Sequence, residues 1–120
     1  MRIEVEVRQG VCVLGLNGRL QPAAYTRVRA EVEATGCRKV IIDCRAVPYL
    51  DAAGIGFVAD LCKSLKNSGG ELALANANAF IRKTLKITRL DSVIPIFDSE
   101  EAAFSALTER EQAACAGWHA

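Results

Sequence analysis

The sequence predicts an α/β fold in which a mixed central sheet of about five strands, opened by a hairpin, carries four helices. Three observations lead there. The chain starts with Ile3, Val5 and Val7 alternating with Glu4, Glu6 and Arg8 and then turns at Gln9-Gly10. A short unbroken apolar run, Val40-Ile41-Ile42, has the character of a covered parallel strand. Beyond the hairpin, strand-like and helix-like segments alternate in the order β-β-α-β-α-β-α-β-α, and parallel neighbours need a crossover helix.

The period of two at residues 3–8 is that of a half-buried strand, and Val11 to Leu16 forms its hairpin partner. Asn17-Gly18 ends that strand. Pro22, at a first helical position, opens a helix to about Thr35 that Gly36 closes, with Tyr25, Val28 and Val32 as its apolar stripe. Lys39 to Cys44 is the central strand. The next helix runs from about Asp51 to Ser68, places Ile55, Val58, Cys62 and Leu65 on one face and stops at Gly69-Gly70. Glu71 to Ala75 reads as a strand, Ala77 to about Ile87 as a helix with Ile81 and Leu85 inward, and Val93 to Phe97 as the last strand. Ser99 can cap a final helix to about Gln112, with Glu100 and Glu101 in an acidic first turn, although Ala102 stands where a full capping box needs Glu or Gln. Residues 1–112 are expected to form a single domain and 113–120 a frayed tail.

Composition narrows the function classes. Fifteen basic residues nearly balance fourteen acidic ones, without a long run of either sign, so a nucleic-acid partner is not expected. The first residues carry no apolar signal segment, and no window approaches the roughly twenty apolar residues of a membrane span, so a cytoplasmic protein without membrane insertion is expected. Cys12, Cys37, Cys44, Cys62 and Cys115 are odd in number and form no C-x-x-C pair, which fits neither a disulfide framework nor zinc ligation. Cys12, Cys44 and Cys62 read as buried free thiols.

The most informative stretch is Val47-Pro-Tyr-Leu-Asp-Ala-Ala-Gly-Ile-Gly-Phe57, which leads from the central strand into a helix whose entrance holds only small residues. Asp51 is suited to cap two of the first-turn N–H groups. On a helical wheel Ala53 shares a face with Asp60 and Ser64, away from the core stripe, and should face solvent. Phe57 falls near that side and reads either as a contact residue or as the edge of the core. Gly54 and Gly56 serve either close packing or close approach of a partner. The stretch therefore points to a docking surface.

Together with the element order, this motif resembles a STAS domain of the anti-sigma factor antagonist type. The resemblance runs from about residue 3 to 107 and rests on Val11-Cys-Val-Leu-Gly-Leu-Asn-Gly18, Val40-Ile-Ile-Asp43, Tyr49-Leu-Asp-Ala-Ala-Gly-Ile-Gly56, Gly69-Gly-Glu71, Ile81 to Leu90 and Ile96-Phe-Asp-Ser-Glu-Glu-Ala102. It implies docking on an anti-sigma factor that is also a serine kinase, through Asp51, Ala52, Ala53, Gly54, Phe57 and, on a neighbouring loop, Gln21. No cofactor is expected, and a homodimer is left open.

Three positions depart from the family pattern. The signature usually reads Asp-Ser-Ser/Thr-Gly and its second hydroxyl is the phosphorylated one, but here that position is Ala53, which has no oxygen to modify. Gln21 stands where an acidic residue is common. Arg89 stands where the family has glycine, so a left-handed cap there would cost about 1 kcal/mol. Ala53 fits a diverged antagonist that binds constitutively, a STAS subunit with another partner, or a serine deliberately replaced.

An enzyme reading lacks its parts. His119 is the only histidine and falls in the tail, so no Cys-His or Ser-His pair is available inside the fold. Asp51-Ala-Ala-Gly-Ile-Gly56 is neither a three-glycine dinucleotide fingerprint nor a Walker loop, which leaves nucleotide binding at an open helix N-terminus as a third reading. The runner-up is a STAS accessory subunit of a phospholipid ABC transporter or of a stress-signalling scaffold.

Overall fold

The structure, a computed structural model, describes residues 2–108. The expected end of the last helix and the tail lie outside these residues. Five strands, β1 (Arg2–Arg8), β2 (Val11–Asn17), β3 (Lys39–Ala46), β4 (Glu71–Ala75) and β5 (Ile96–Phe97), form one sheet in sequence order. β1 and β2 pair antiparallel with Val5 opposite Leu14, and the other three pairs are parallel. The helices are α1 (Pro22–Thr35), α2 (Ala52–Asn67), α3 (Ala79–Ile87) and α4, helical over residues 100–108.

Each crossover steps one strand in the same direction, and right-handed crossovers then place α1, α2 and α3 on a single face. The alternate strand residues Cys12, Leu14, Leu16, Val40, Ile42, Leu72 and Leu74 join these helices in the main core. Their neighbours Val11, Val13, Ile41, Ala73 and Ala75 pack against Ala103 and Leu107 of α4 on the opposite face. Two covered faces explain why Val40-Ile41-Ile42 is apolar without interruption.

Four expectations change. Val5 and Val7 point toward the helical face but remain 38% and 51% exposed, because β1 is the edge strand and the helices stop short of it. The stripe of α2 is turned by about one residue, with Gly54, Phe57, Val58, Leu61, Cys62 and Leu65 buried and Ile55 only half-buried. α3 begins at Ala79, because the Asn78 Oδ1 accepts from the Ile81 N–H at 2.9 Å and caps the helix there. β5 is shortened to Ile96–Phe97, since a 3-10 turn at Leu90–Ser92 and then Pro95 occupy the approach.

Ser99 caps α4 as expected, its Oγ accepting from the Ala102 N–H at 3.0 Å. Cys12, Cys44 and Cys62 are buried free thiols, and burial pushes the Cys44 thiol up to about 12, with the Asp43 charge adding to the effect. Arg89 sits just past α3 at φ 63°, a left-handed position that favours glycine. Arg89→Gly is therefore expected to stabilise the fold by about 1 kcal/mol, read as a higher urea midpoint at unchanged slope.

Candidate functional site

In a parallel sheet the loops that follow the strands gather at one edge, the carboxyl ends, and three of them meet here. After β3 the chain is pinned by buried Val47 and Leu50, while Pro48 and Tyr49 between them stay exposed. The Val47 N–H donates to the Cys44 carbonyl at 3.0 Å, which turns the strand toward the helix. Asp51 is the N-cap of α2 in extended conformation, and its Oδ1 accepts from the Gly54 N–H at 2.7 Å. The side chain thus makes one capping bond where two were expected.

Ala52, Ala53 and Gly56 are all exposed on the first turns of α2. Ala53 faces solvent as its wheel position requires. A methyl group added at Gly56 would meet nothing within 4 Å among the described residues, so no contact among them calls for glycine there. A mid-helix glycine costs roughly 0.5–1 kcal/mol relative to alanine, which leaves the smallness of position 56 without an internal explanation.

Gly54 and Phe57 are placed differently from the docking expectation. Gly54 is buried, and an added Cβ would lie 3.3 Å from the Asp51 Oδ1 and 3.5 Å from the Leu50 Cδ2. Its glycine keeps the capping turn close to Leu50. Phe57 is only 6% exposed, stacked on Tyr25 with ring centroids 4.5 Å apart and an interplanar angle of 3°, and the Arg29 guanidinium lies 5.7 Å from its ring centroid. The turned α2 stripe brings the ring inward, so of its two readings the core one holds.

The neighbouring loops complete the surface. Gln21 is exposed at the N-cap of α1 without a side-chain capping bond, on the same loop as Arg19, whose Nη1 donates to the Tyr49 hydroxyl at 3.2 Å. From the other side, the Asn78 Nδ2 donates to the Pro48 carbonyl at 2.9 Å, tying the start of α3 to the signature loop. Tyr49 and Phe80 are 37% and 62% exposed. Phe80 escaped the sequence reading; the available signal was an aromatic off the Ile81 and Leu85 stripe in the first turn of a helix. Tyr25, expected in the apolar stripe of α1, brings a hydroxyl that is shielded from solvent and has no hydrogen-bond partner among the described residues, and burial together with the Asp51 carboxylate pushes the phenol up.

The entrance of α2 thus exposes small residues, and the loops on either side of the signature expose Arg19, Gln21, Tyr49 and Phe80. Among the described residues no group of three or more His, Cys, Asp or Glu is placed to hold a metal ion, and no helix is long and apolar enough to cross a membrane.

Known proteins resemble the chain along nearly its whole length. The anti-sigma F factor antagonist of Paenibacillus polymyxa is 27% identical over 115 residues, covering 92% of this chain and 96% of the relative. A crystal structure of an anti-sigma factor antagonist from Mycobacterium paratuberculosis superposes with a TM-score of 0.78 at 23% identity, covering 89% of this chain and 93% of that one. The fold is shared more widely, since the STAS domain of a SulP transporter from Vibrio cholerae gives a TM-score of 0.74 at 19% identity, covering 90% of this chain and 88% of that one. The profile of the STAS domain matches residues 2–103, and with the element order, the sheet and the Asp51 turn in agreement, the chain belongs to the STAS domain family, alongside relatives named anti-sigma factor antagonists.

Proposed function

We propose that the protein is a cytoplasmic anti-sigma factor antagonist that acts by binding, docking the exposed first turns of α2 on an anti-sigma factor that is also a serine kinase. Asp51 shapes the turn, Ala52, Ala53 and Gly56 form its contact face, and Gln21, Tyr49 and Phe80 form the rim. The observation that carries the reading is the exposure of Ala53 and Gly56 on successive turns of one helix face, with nothing among the described residues that requires glycine at position 56. The Paenibacillus relative, named for antagonism of an anti-sigma factor, supports the kind of partner.

Ala53 offers no hydroxyl, so this docking is not switched off by phosphorylation at the position the family uses. A phosphate there would add about −1.5 to −2 charges beside Asp51 and oppose an acidic or apolar partner surface. The test is calorimetric titration of a purified anti-sigma kinase with three forms of the protein. Ala53→Asp is expected to weaken binding by roughly tenfold or more while leaving Tm nearly unchanged. Gly56→Ala is expected to gain roughly 0.5–1 kcal/mol in stability and to bind more weakly, because its methyl group stands in the contact face. Equal affinity of wild type and Ala53→Asp would move the docking site elsewhere. Binding to a permease and ATPase pair in place of the kinase would favour a transporter subunit.

A further inference from the structure

On the sheet face opposite α2, a buried carboxyl meets a second carboxyl from the helix that covers it. Asp43, near the end of β3, is only 8% exposed. Its Oδ1 accepts from the Arg45 N–H at 2.9 Å and from the Asn76 Nδ2 at 3.1 Å. Asn76 itself sits at φ 59°, a left-handed position that asparagine tolerates. Glu100, in the first turn of α4, brings its carboxyl within hydrogen-bonding reach of Asp43. Two carboxyls can share a hydrogen bond only when one of them carries a proton.

We propose that the Asp43 and Glu100 carboxyls form a proton-operated latch that seats the first turn of α4 on the sheet and releases it when the shared proton is lost. Asp43 is the ionised member. Burial pushes it up, but the hydrogen bonds from Glu100, the Arg45 N–H and Asn76 outweigh burial and hold it below the ordinary carboxylate value. Glu100 is the protonated member, pushed up to about 7 by its hydrogen bond to Asp43, by burial and by the Asp43 charge.

The other groups facing Glu100 set the balance. From β1, the Arg8 Nη2 stands 3.8 Å from the Glu100 Oε1 and favours ionisation, while Glu6 opposes it and Glu4 lines the same groove. Arg8 is shared, since its Nε also lies 3.4 Å from the Glu6 Oε1 and its guanidinium lies 5.0 Å from the Phe104 ring centroid. β2 contributes only Val13 and Gly15 to this groove. From β3, the Arg45 charge acts on Asp43. Further along α4, buried Ala103 and Leu107 and the bond from the Lys39 Nζ to the Leu107 carbonyl at 2.9 Å hold the helix independently of the proton. Release is therefore confined to the first turn.

The sign follows from linkage. Glu100 has a higher proton affinity when the turn is seated than when it is open, so its contribution is complete below its ordinary value near 4.5 and is lost as pH rises through about 7. The experiment is amide hydrogen exchange of residues 100–104 in the full chain, corrected for intrinsic rates, at pH 5.5 and 7.5. Wild type is expected to lose protection roughly tenfold or more at the higher pH. Glu100→Gln keeps an uncharged donor and is expected to show equal protection at both values. A carbon-13 titration of the Glu100 carboxyl is expected to give a midpoint near 7. Unchanged wild-type protection, the same loss in Glu100→Gln, or a Glu100 midpoint near the ordinary 4.5 would each overturn the latch.

Discussion

Gly70→Ala is expected to lose about 3 kcal/mol or more of stability, because among the described glycines an added Cβ is most crowded there. The loop between α2 and β4 passes directly beneath the start of β3, where a Cβ at position 70 would collide with the Arg38 carbonyl oxygen. That oxygen is already fixed, because it accepts from the Glu71 N–H at 3.0 Å, and the Gly70 N–H itself donates to the Leu65 carbonyl at 2.7 Å. Neither side can give way by rotating a side chain. Relief requires moving the C-terminal end of α2 or breaking the first bond between β3 and β4, and both are part of the sheet framework. Equilibrium urea unfolding is the measurement, and a midpoint within error of wild type would show that the loop has room the structure does not give it.

Phe57→Ala is expected to cost about 3–5 kcal/mol, as for other buried aromatics. The ring fills the space between α1 and α2, and its loss also removes the stack on Tyr25 and the Arg29 contact. Any effect on partner binding should then follow unfolding. Thermal melts alongside binding at a temperature where the variant is still folded separate the possibilities: a partner contact would leave Tm unchanged and lower affinity, whereas a core residue lowers Tm first. Ala53 and Phe57, one helical turn apart, are therefore expected to respond differently, Ala53→Asp in affinity and Phe57→Ala in stability.

Local chemistry was legible wherever one residue decides the matter. Pro22 and Gly36 bound α1, Asp51 and Ser99 cap their helices, and the αL position of Arg89 was anticipated from a missing glycine. The element order was equally legible, since period-two and apolar-run patterns separate strands from helices. The facing of α2 was not. Ile55 and Phe57 are both apolar, and a wheel anchored on either gives an acceptable stripe; the packing of α1, which brings Tyr25 against Phe57, selects the one that includes Phe57 and Leu61. The exposure of Val5 and Val7 was hidden for a similar reason, as alternation marks an inner face without saying whether anything lies over it.

By itself the sequence determined the order of strands and helices, the Pro22 and Gly36 ends of α1, the Asp51 and Ser99 caps, and the lack of a hydroxyl at position 53. These depend on residues within a turn or two of one another, where backbone geometry and hydrogen bonding are local. Tertiary structure alone decided that Phe57 is core, that the Arg19 loop and the start of α3 are tied to the Pro48-Tyr49 loop, and that Asp43 meets Glu100. Each of these joins residues far apart in the chain, and only the parallel sheet, by aligning the ends of β2, β3 and β4 and placing α4 on the opposite face, sets the distances between them.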